Sequence, residues 1–370
     1  MNQEKVNIVD QNLGKHTQSE IYEIPQCLNR VLKQKDLISK VTTEIVKRKT
    51  HHIYIIGAGS SYHAGYAMSY MFNRLTKIPT FTEFSMEFLY LIKPILGKED
   101  CVIAISQSGK TRDTINSIEI SKEIGCLTIG ITNNLDSDLA KKCDFSLGLN
   151  CKKEESVLAT KTYVASLVIL AMLSLEIARE NRTVISEEYN EIWVELVRIS
   201  DRINSILPLL HEKIKKYVAY FKNINYCFIL GSGPEYATAM EAALKLKEGS
   251  RIFGQAYSTA EFPHGPITLA DSNTGILGII PYENDERKQN ILNLLTRLKE
   301  REAIIIGIYE YLENANAPEP VRYGIEIPNT VPDLQPILMI LAIQLLTLEL
   351  SRINGINCDT PKFLTKVMGV

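Results

Sequence analysis

Apolar positions along the chain form two alternating patterns. Short unbroken runs, IYIIG (53–57), CVIAI (101–105), LTIGIT (127–132) and FSLGL (145–149), lack polar alternation and end at glycine, serine or asparagine. Such runs are strands covered on both faces, and the stretches between them are long enough for helices. The succession then repeats: YCFILG (226–231), TGILGIIP (274–281), AIIIGIY (303–309) and YGIEIP (323–328) keep step with the first set, and Gly57 and Gly231 stand 174 positions apart. Each half closes on a long apolar helix, TKTYVASLVILAMLSLEIA (160–178) and PDLQPILMILAIQLLTLELSRI (332–353). Strands alternating with helices at this spacing predict an α/β protein of two tandem doubly wound parallel-sheet domains.

The expected organisation is a polar segment and helix over 1–40 (the helix from EIYEIPQCLNRVLKQ) and a first domain over 41–182. Connecting helices follow over 183–220, then a second domain over 221–352 and a tail over 353–370.

Composition narrows the function classes. A net charge of −2 gives no basic footprint for nucleic acid and no acidic tail. The polar amino terminus argues against a targeting segment, and the apolar stretch SLVILAMLSL is shorter than a membrane span, so no membrane partner is expected. Seven cysteines without a CxxC pair predict buried thiols in a reducing, cytoplasmic setting, with no metal.

GAGSSY and GSGPEY supply the first two glycines of a dinucleotide fingerprint, but Tyr62 and Tyr236 stand where the third is needed for close helix packing. No cofactor is expected. What remains is a helix amino terminus behind a glycine turn, which suits an anion. Ser60 and Ser61 after one strand, and Ser106, Gln107, Ser108 and Thr111 after its neighbour, converge at the carboxyl edge of one sheet. Any one of them alone reads better as a helix cap; two serine-rich strand ends together read as a phosphate cup. The matching turn of the second half, IIPYEND, lacks serine, so only one half is expected to bind.

The second half brings titratable groups instead. Lys245 and Glu248, three apart on a helix, read as a surface ion pair in isolation, and His264 as an ordinary loop histidine. Beside a phosphate cup they form a base, a cation for an oxyanion and a proton donor, a set suited to proton abstraction next to a carbonyl.

The stretches GSSYHAG, SQSGKT, EESVLATKTY, ALKLKE, AEFPHGP and DTPKFLTKV, in this order from about Ser19 to the end, resemble the sugar isomerase (SIS) family. The likeness is greatest to the isomerase half of glucosamine-6-phosphate synthases and to SIS-type glucosamine-6-phosphate deaminases. The resemblance implies flavodoxin-like domains and a phosphosugar ligand held by Ser61, Ser106, Gln107, Ser108 and Thr111, with the backbone around Val157 closing over it. It further implies Glu248 as the base between C2 and C1, His264 assisting ring opening, Lys245 stabilising the enediol-type oxygen and Lys366 as a carbonyl-reactive lysine. It implies a homodimer or higher homo-oligomer with shared sites, His264 reaching a neighbouring subunit. Lys110 and Ala159 depart from the synthase pattern, which carries glutamate and serine there.

The first cysteine, Cys27, falls inside a predicted helix, so no glutaminase domain is expected. The wording LATK and AEFPHGP leans toward the deaminases, for which the resemblance implies conversion of glucosamine 6-phosphate and water to fructose 6-phosphate and ammonia. The alternatives are a deglycase acting on a 6-phosphofructose-amine and a non-catalytic phosphosugar sensor. Retention of Lys245 and Lys366 argues against the first, and the Lys245, Glu248 and His264 set against the second.

Overall fold

The computed structural model describes residues 12–222, 224–283, 285–311 and 317–366. Polar residues 1–11 and the last four of the tail, expected parts of the terminal segments, lie outside them. Three helices open the chain, α1 (Lys15–Tyr22), α2 (Ile24–Leu32) and α3 (Lys35–Lys47). One helix was expected there; the turns at Glu23 and Lys33 divide it.

The first sheet follows as β1 (Ile53–Gly57), α4 (Ser60–Thr76), β2 (Thr80–Phe84), α5 (Ser85–Leu91), β3 (Cys101–Ile105), α6 (Arg112–Ile124), β4 (Leu127–Thr132), α7 (Asp138–Lys142) and β5 (Phe145–Gly148). Its closing helix is α8 (Lys161–Glu180), and α9 (Ser186–Tyr217) leads to the second sheet. That sheet runs β6 (Tyr226–Gly231), α10 (Pro234–Lys245), β7 (Phe253–Ser258), β8 (Gly275–Ile279), α11 (Glu286–Lys299), β9 (Ile304–Glu310), β10 (Tyr323–Ile327) and α12 (Gln335–Ile353).

Both sheets are parallel throughout, ordered β2-β1-β3-β4-β5 and β10-β9-β8-β6-β7, so the second repeats the topology of the first. The edge strands β2 and β7 escape the apolar-run pattern because each is only partly buried. The connector is one 32-residue helix rather than several. Pro208 is tolerated within it because the proline and Asn204, whose carbonyl it frees, both lie on the exposed side.

Helices α8 and α12 are apolar around their whole circumference because they are the core. The segments 161–180 and 332–353 are long and apolar enough to cross a membrane, contrary to the short-stretch expectation, yet both are buried inside the fold. Helix α8 packs on α2, α3 and α4, and α12 on α1, α9 and α10, which sets α4 against α10 between the sheets.

The glycine turns put the amino termini of α4 and α10 at the carboxyl edges of β1 and β6. Gly59 sits at φ 53, ψ −125, a region open to glycine. At Gly231 the constraint is space, since a Cβ would stand 2.5 Å from the Glu235 carbonyl oxygen. Gly231→Ala is therefore expected to cost about 1–3 kcal/mol in urea denaturation; a loss under about 0.5 kcal/mol would show that the turn relaxes freely.

Candidate functional site

A cleft of ≈ 380 Å³ opens at the carboxyl ends of β1 and β3, where the strand order of the first sheet reverses. Its wall contains Ser60, Ser61, Ser106, Gln107, Ser108, Thr111, Val157, Lys245, Glu248 and Lys366. Ten of the eleven residues singled out in the sequence thus share one cavity, drawn from both domains and the tail.

The cup is built by the loop between β3 and α6. Ser106 Oγ lies 2.9 Å from Thr111 Oγ1 and accepts the Gly109 N–H at 3.2 Å, while Ser108 Oγ accepts the Lys110 N–H at 3.2 Å. These bonds hold the loop open at the start of α6 and leave the Ser108 hydroxyl free to donate. Ser60 behaves differently: it lines the cleft, but its hydroxyl donates to Glu241 Oε1 at 2.8 Å. The backbone N–H of Val157 likewise donates to the Asp359 carbonyl at 3.0 Å, tying that loop to the tail.

Helix α10 brings the charges. After Lys245 the helix widens into a π-helical turn, Leu246–Ser250, a feature frequent at functional sites. Lys245 Nζ donates to Glu248 Oε2 at 2.5 Å, and the pair is no solvated surface bridge, because the Lys245 side chain is 1 % exposed and that of Glu248 19 %. Glu241, fully buried one turn earlier, lies 3.5 Å from Lys245 Nζ and 2.7 Å from His63 Nδ1. Burial opposes charge on Glu241, but Lys245 and the His63 hydrogen bond outweigh it and hold the carboxyl below its ordinary range. Burial opposes charge on Lys245 as well, and Glu241 and Glu248 hold it above the usual lysine value.

Lys366 reaches the cleft from the tail, donating to Glu154 Oε2 at 2.7 Å and to the Ser156 carbonyl. Glu154 is also buried; its carboxylate accepts the Thr160 N–H at 3.0 Å and the Thr162 hydroxyl at 2.7 Å. Burial works against the charge, and Lys366 with these donors keeps the carboxyl low. Glu154, Glu241 and His63 went unrecognised in the sequence. Glu154 and His63 lie inside the stretches EESVLATKTY and GSSYHAG, so the signal was at hand, whereas Glu241 carries no motif.

His264 is the exception. It ends a short 3₁₀ turn, Phe262–His264, is exposed, and is not among the residues lining the cleft. The second sheet has a counterpart cleft of ≈ 420 Å³, lined by Tyr70, Arg74, Glu188, Glu235, Glu283, Arg287 and Asp333 among others. It holds no serine; Arg74 pairs there with Glu188 and Asp333, and Arg287 with Glu283.

Behind the cleft, helix α1 braces the same loop. Glu20 Oε1 accepts the N–H groups of Glu155 and Ser156, while Oε2 is buried without a partner. Burial first, then the Glu154 charge, push the Glu20 carboxyl up to about 7. An acid whose folded value is raised weakens the fold as pH climbs from the ordinary carboxylate range toward that value. Glu20→Gln is therefore expected to stabilise the protein by about 1–2 kcal/mol at pH 8 and to change little at pH 4. Urea denaturation at the two pH values checks this, and an equal effect at both would place the contribution outside titration.

The SIS domain matches this chain twice, over residues 47–175 and 220–352. Glutamine–fructose-6-phosphate aminotransferase (isomerizing) of Clostridium tetani is 33% identical over 364 residues, covering 95% of this chain and 58% of that protein. The Rattus norvegicus enzyme of that name (number 1) is 30% identical over 372 residues, covering 98% and 54%. The chain thus spans a little over half the length of these curated relatives. Among solved structures, the C-terminal domain of glucosamine-fructose-6-phosphate aminotransferase from Francisella tularensis superposes with a TM-score of 0.85 at 27% identity, covering 94% of this chain and 98% of that one. Glucosamine-6-phosphate deaminase from Thermotoga maritima shares the fold, with a TM-score of 0.71 at 24% identity over 95% of this chain and 99% of that one. Matched in each of its two sheets and along nearly its whole length, the chain belongs to the SIS family.

Proposed function

We propose that the cleft isomerises a 2-amino-sugar 6-phosphate and releases its nitrogen, converting glucosamine 6-phosphate and water to fructose 6-phosphate and ammonia. The observation that carries this reading is the placement of Glu248 and Lys245 in the same ≈ 380 Å³ cavity as the Ser106–Thr111 cup. A phosphate in the cup sets the sugar carbons in line with the charged groups. Glu248 then takes the C2 proton of the open-chain aldehyde and returns it to C1, leaving a 2-imine. Lys245 supports the oxygen at C1 while it carries negative charge. Water adds to the imine carbon, ammonia leaves and the C2 ketone remains. Run backward, the same steps would fix ammonia on the ketose, the direction suggested by the aminotransferase names of the relatives. Lys366, on the same wall, serves the ketose carbonyl in this reading, on leaving Glu154.

His264 enters this scheme from a second copy. The histidine is exposed and outside its own chain's cleft, so the ring-opening acid is supplied by the partner's His264 in a homodimer with two composite sites.

Two measurements test the reading. Glu248→Gln keeps the side-chain shape without a proton acceptor, so ammonia release from glucosamine 6-phosphate should fall about 100-fold to 10,000-fold with phosphosugar binding retained. A variant with more than a tenth of the normal rate would remove Glu248 from the role of base. For the shared site, inactive Glu248→Gln and inactive His264→Ala chains are refolded together. Activity should return in hybrid dimers, and proven hybrids without activity would confine both residues to one chain's site.

A further inference from the structure

The far side of Glu248 opens onto a second depression, of ≈ 590 Å³, whose lining includes Lys247, Arg251, Asn354, Asn357, Lys362 and Phe363. Glu248 and Leu364 belong to both walls, so the depression abuts the catalytic cleft at the proposed base. Its charge is one-sided. Glu248 is the single acid in the lining and is already engaged by Lys245, whereas Lys247, Arg251 and Lys362 are exposed and make no ion pair among the described residues. In the counterpart cleft, by contrast, the cations are paired: Arg74 holds Glu188 and Asp333, and Arg287 holds Glu283.

The backbone is irregular at the same place. Arg251 (φ 57) and Phe363 (φ 65) both adopt the left-handed conformation that non-glycine residues rarely take, and Lys247 stands in the π-helical turn. Strain of this kind collects at ligand sites. It turns Arg251 out of the helix end, and Phe363, with its side chain fully in solvent, offers an apolar flank.

We propose that this depression is a second anion subsite, which accepts a carboxylate carried on the amino nitrogen of the sugar phosphate. The inference rests on the reading of the cleft as a phosphosugar site with C2 at Glu248. A nitrogen on C2 then lies at the shared wall, and a short substituent on it leads out of the cleft toward Arg251. A planar carboxylate suits the guanidinium fork, with Lys247 and Lys362 adding charge from either side.

Calorimetric titration of the full chain in a Glu248→Gln background, where nothing turns over, tests this with three ligands: glucosamine 6-phosphate, its N-carboxymethyl derivative and its N-(2-hydroxyethyl) derivative, a neutral substituent of similar length. The carboxymethyl compound should bind about tenfold more tightly than the hydroxyethyl compound, a modest factor suited to an exposed site. Its advantage should shrink at high salt. Replacing Lys247, Arg251 and Lys362 together by Gln should erase that difference and leave glucosamine 6-phosphate unaffected.

Equal binding of both derivatives, or an advantage that survives the triple replacement, overturns the subsite and leaves the phosphosugar reading standing. Failure of all three sugars to bind overturns that reading and the subsite with it. Free glycine is titrated alongside as an untethered carboxylate and should not bind; glycine binding that is lost on the triple replacement, with no gain from tethering, would assign the depression to a separate carboxylate and overturn the tethered version.

Discussion

A buried carboxylate decides the geometry of the cleft. Glu241 has no exposure, yet one oxygen receives the Ser60 hydroxyl and the other meets His63, both from α4, while Lys245 of its own helix stands 3.5 Å away. An unpaired charge at that depth would cost several kcal/mol, so α4 and α10 must meet in the register that brings Ser60 and His63 to the Glu241–Lys245 pair. That register carries the first-sheet glycine turn to the charged end of α10. The cup and the proposed base come from different domains, and neither domain alone contains a complete wall.

The two ends of the chain close the back of the same site. Asp359, in the tail, accepts the N–H groups of His16 at 3.0 Å and Thr17 at 2.7 Å, an acidic cap on the exposed donors of α1. Arg352 donates to the Leu13 carbonyl at 2.9 Å and to the Gln18 side chain at 2.6 Å. Thr17 bridges Asp359 to Ser156, so the loop holding Glu154, the tail holding Lys366 and the first helix form one hydrogen-bonded unit. A helix outside both sheets thereby fixes the seat of a lysine 350 positions later.

The sheets and most of the cleft were legible because their signals are local. Strands β1, β3, β4 and β5 are short apolar runs, and the 174-position repeat of Gly57 at Gly231 made the second domain readable from the first. Lys245 and Glu248 were legible from helical spacing, although their burial was not: on sequence alone a surface pair looks the same. Glu241 escaped notice because its meaning lies in partners 178 and 181 positions away, and no periodicity reports a contact across domains. The edge strands β2 and β7 hid for the opposite reason, since a half-exposed strand lacks the continuous apolar run. His264 was picked out as a titratable loop residue, but its place relative to the cleft was not legible, because a loop carries no periodicity that reports its distance from a site.

The counterpart cleft in the second sheet has a consequence for how the two halves hold together. At the repeat spacing, Arg74 occupies the place of Glu248, and Glu235 that of Ser61. The positions that line the proposed site in one half thus form an ionic bolt in the other, fastening α4 to the connector through Glu188 and to the second domain through Asp333. The halves lie on one chain, joined by the helix α9, so their pairing does not depend on how much protein is present. Internal two-fold symmetry is then under no obligation to be exact in chemistry: one pocket can be tuned for turnover and its twin for rigidity, a division of labour closed to two identical half-length chains.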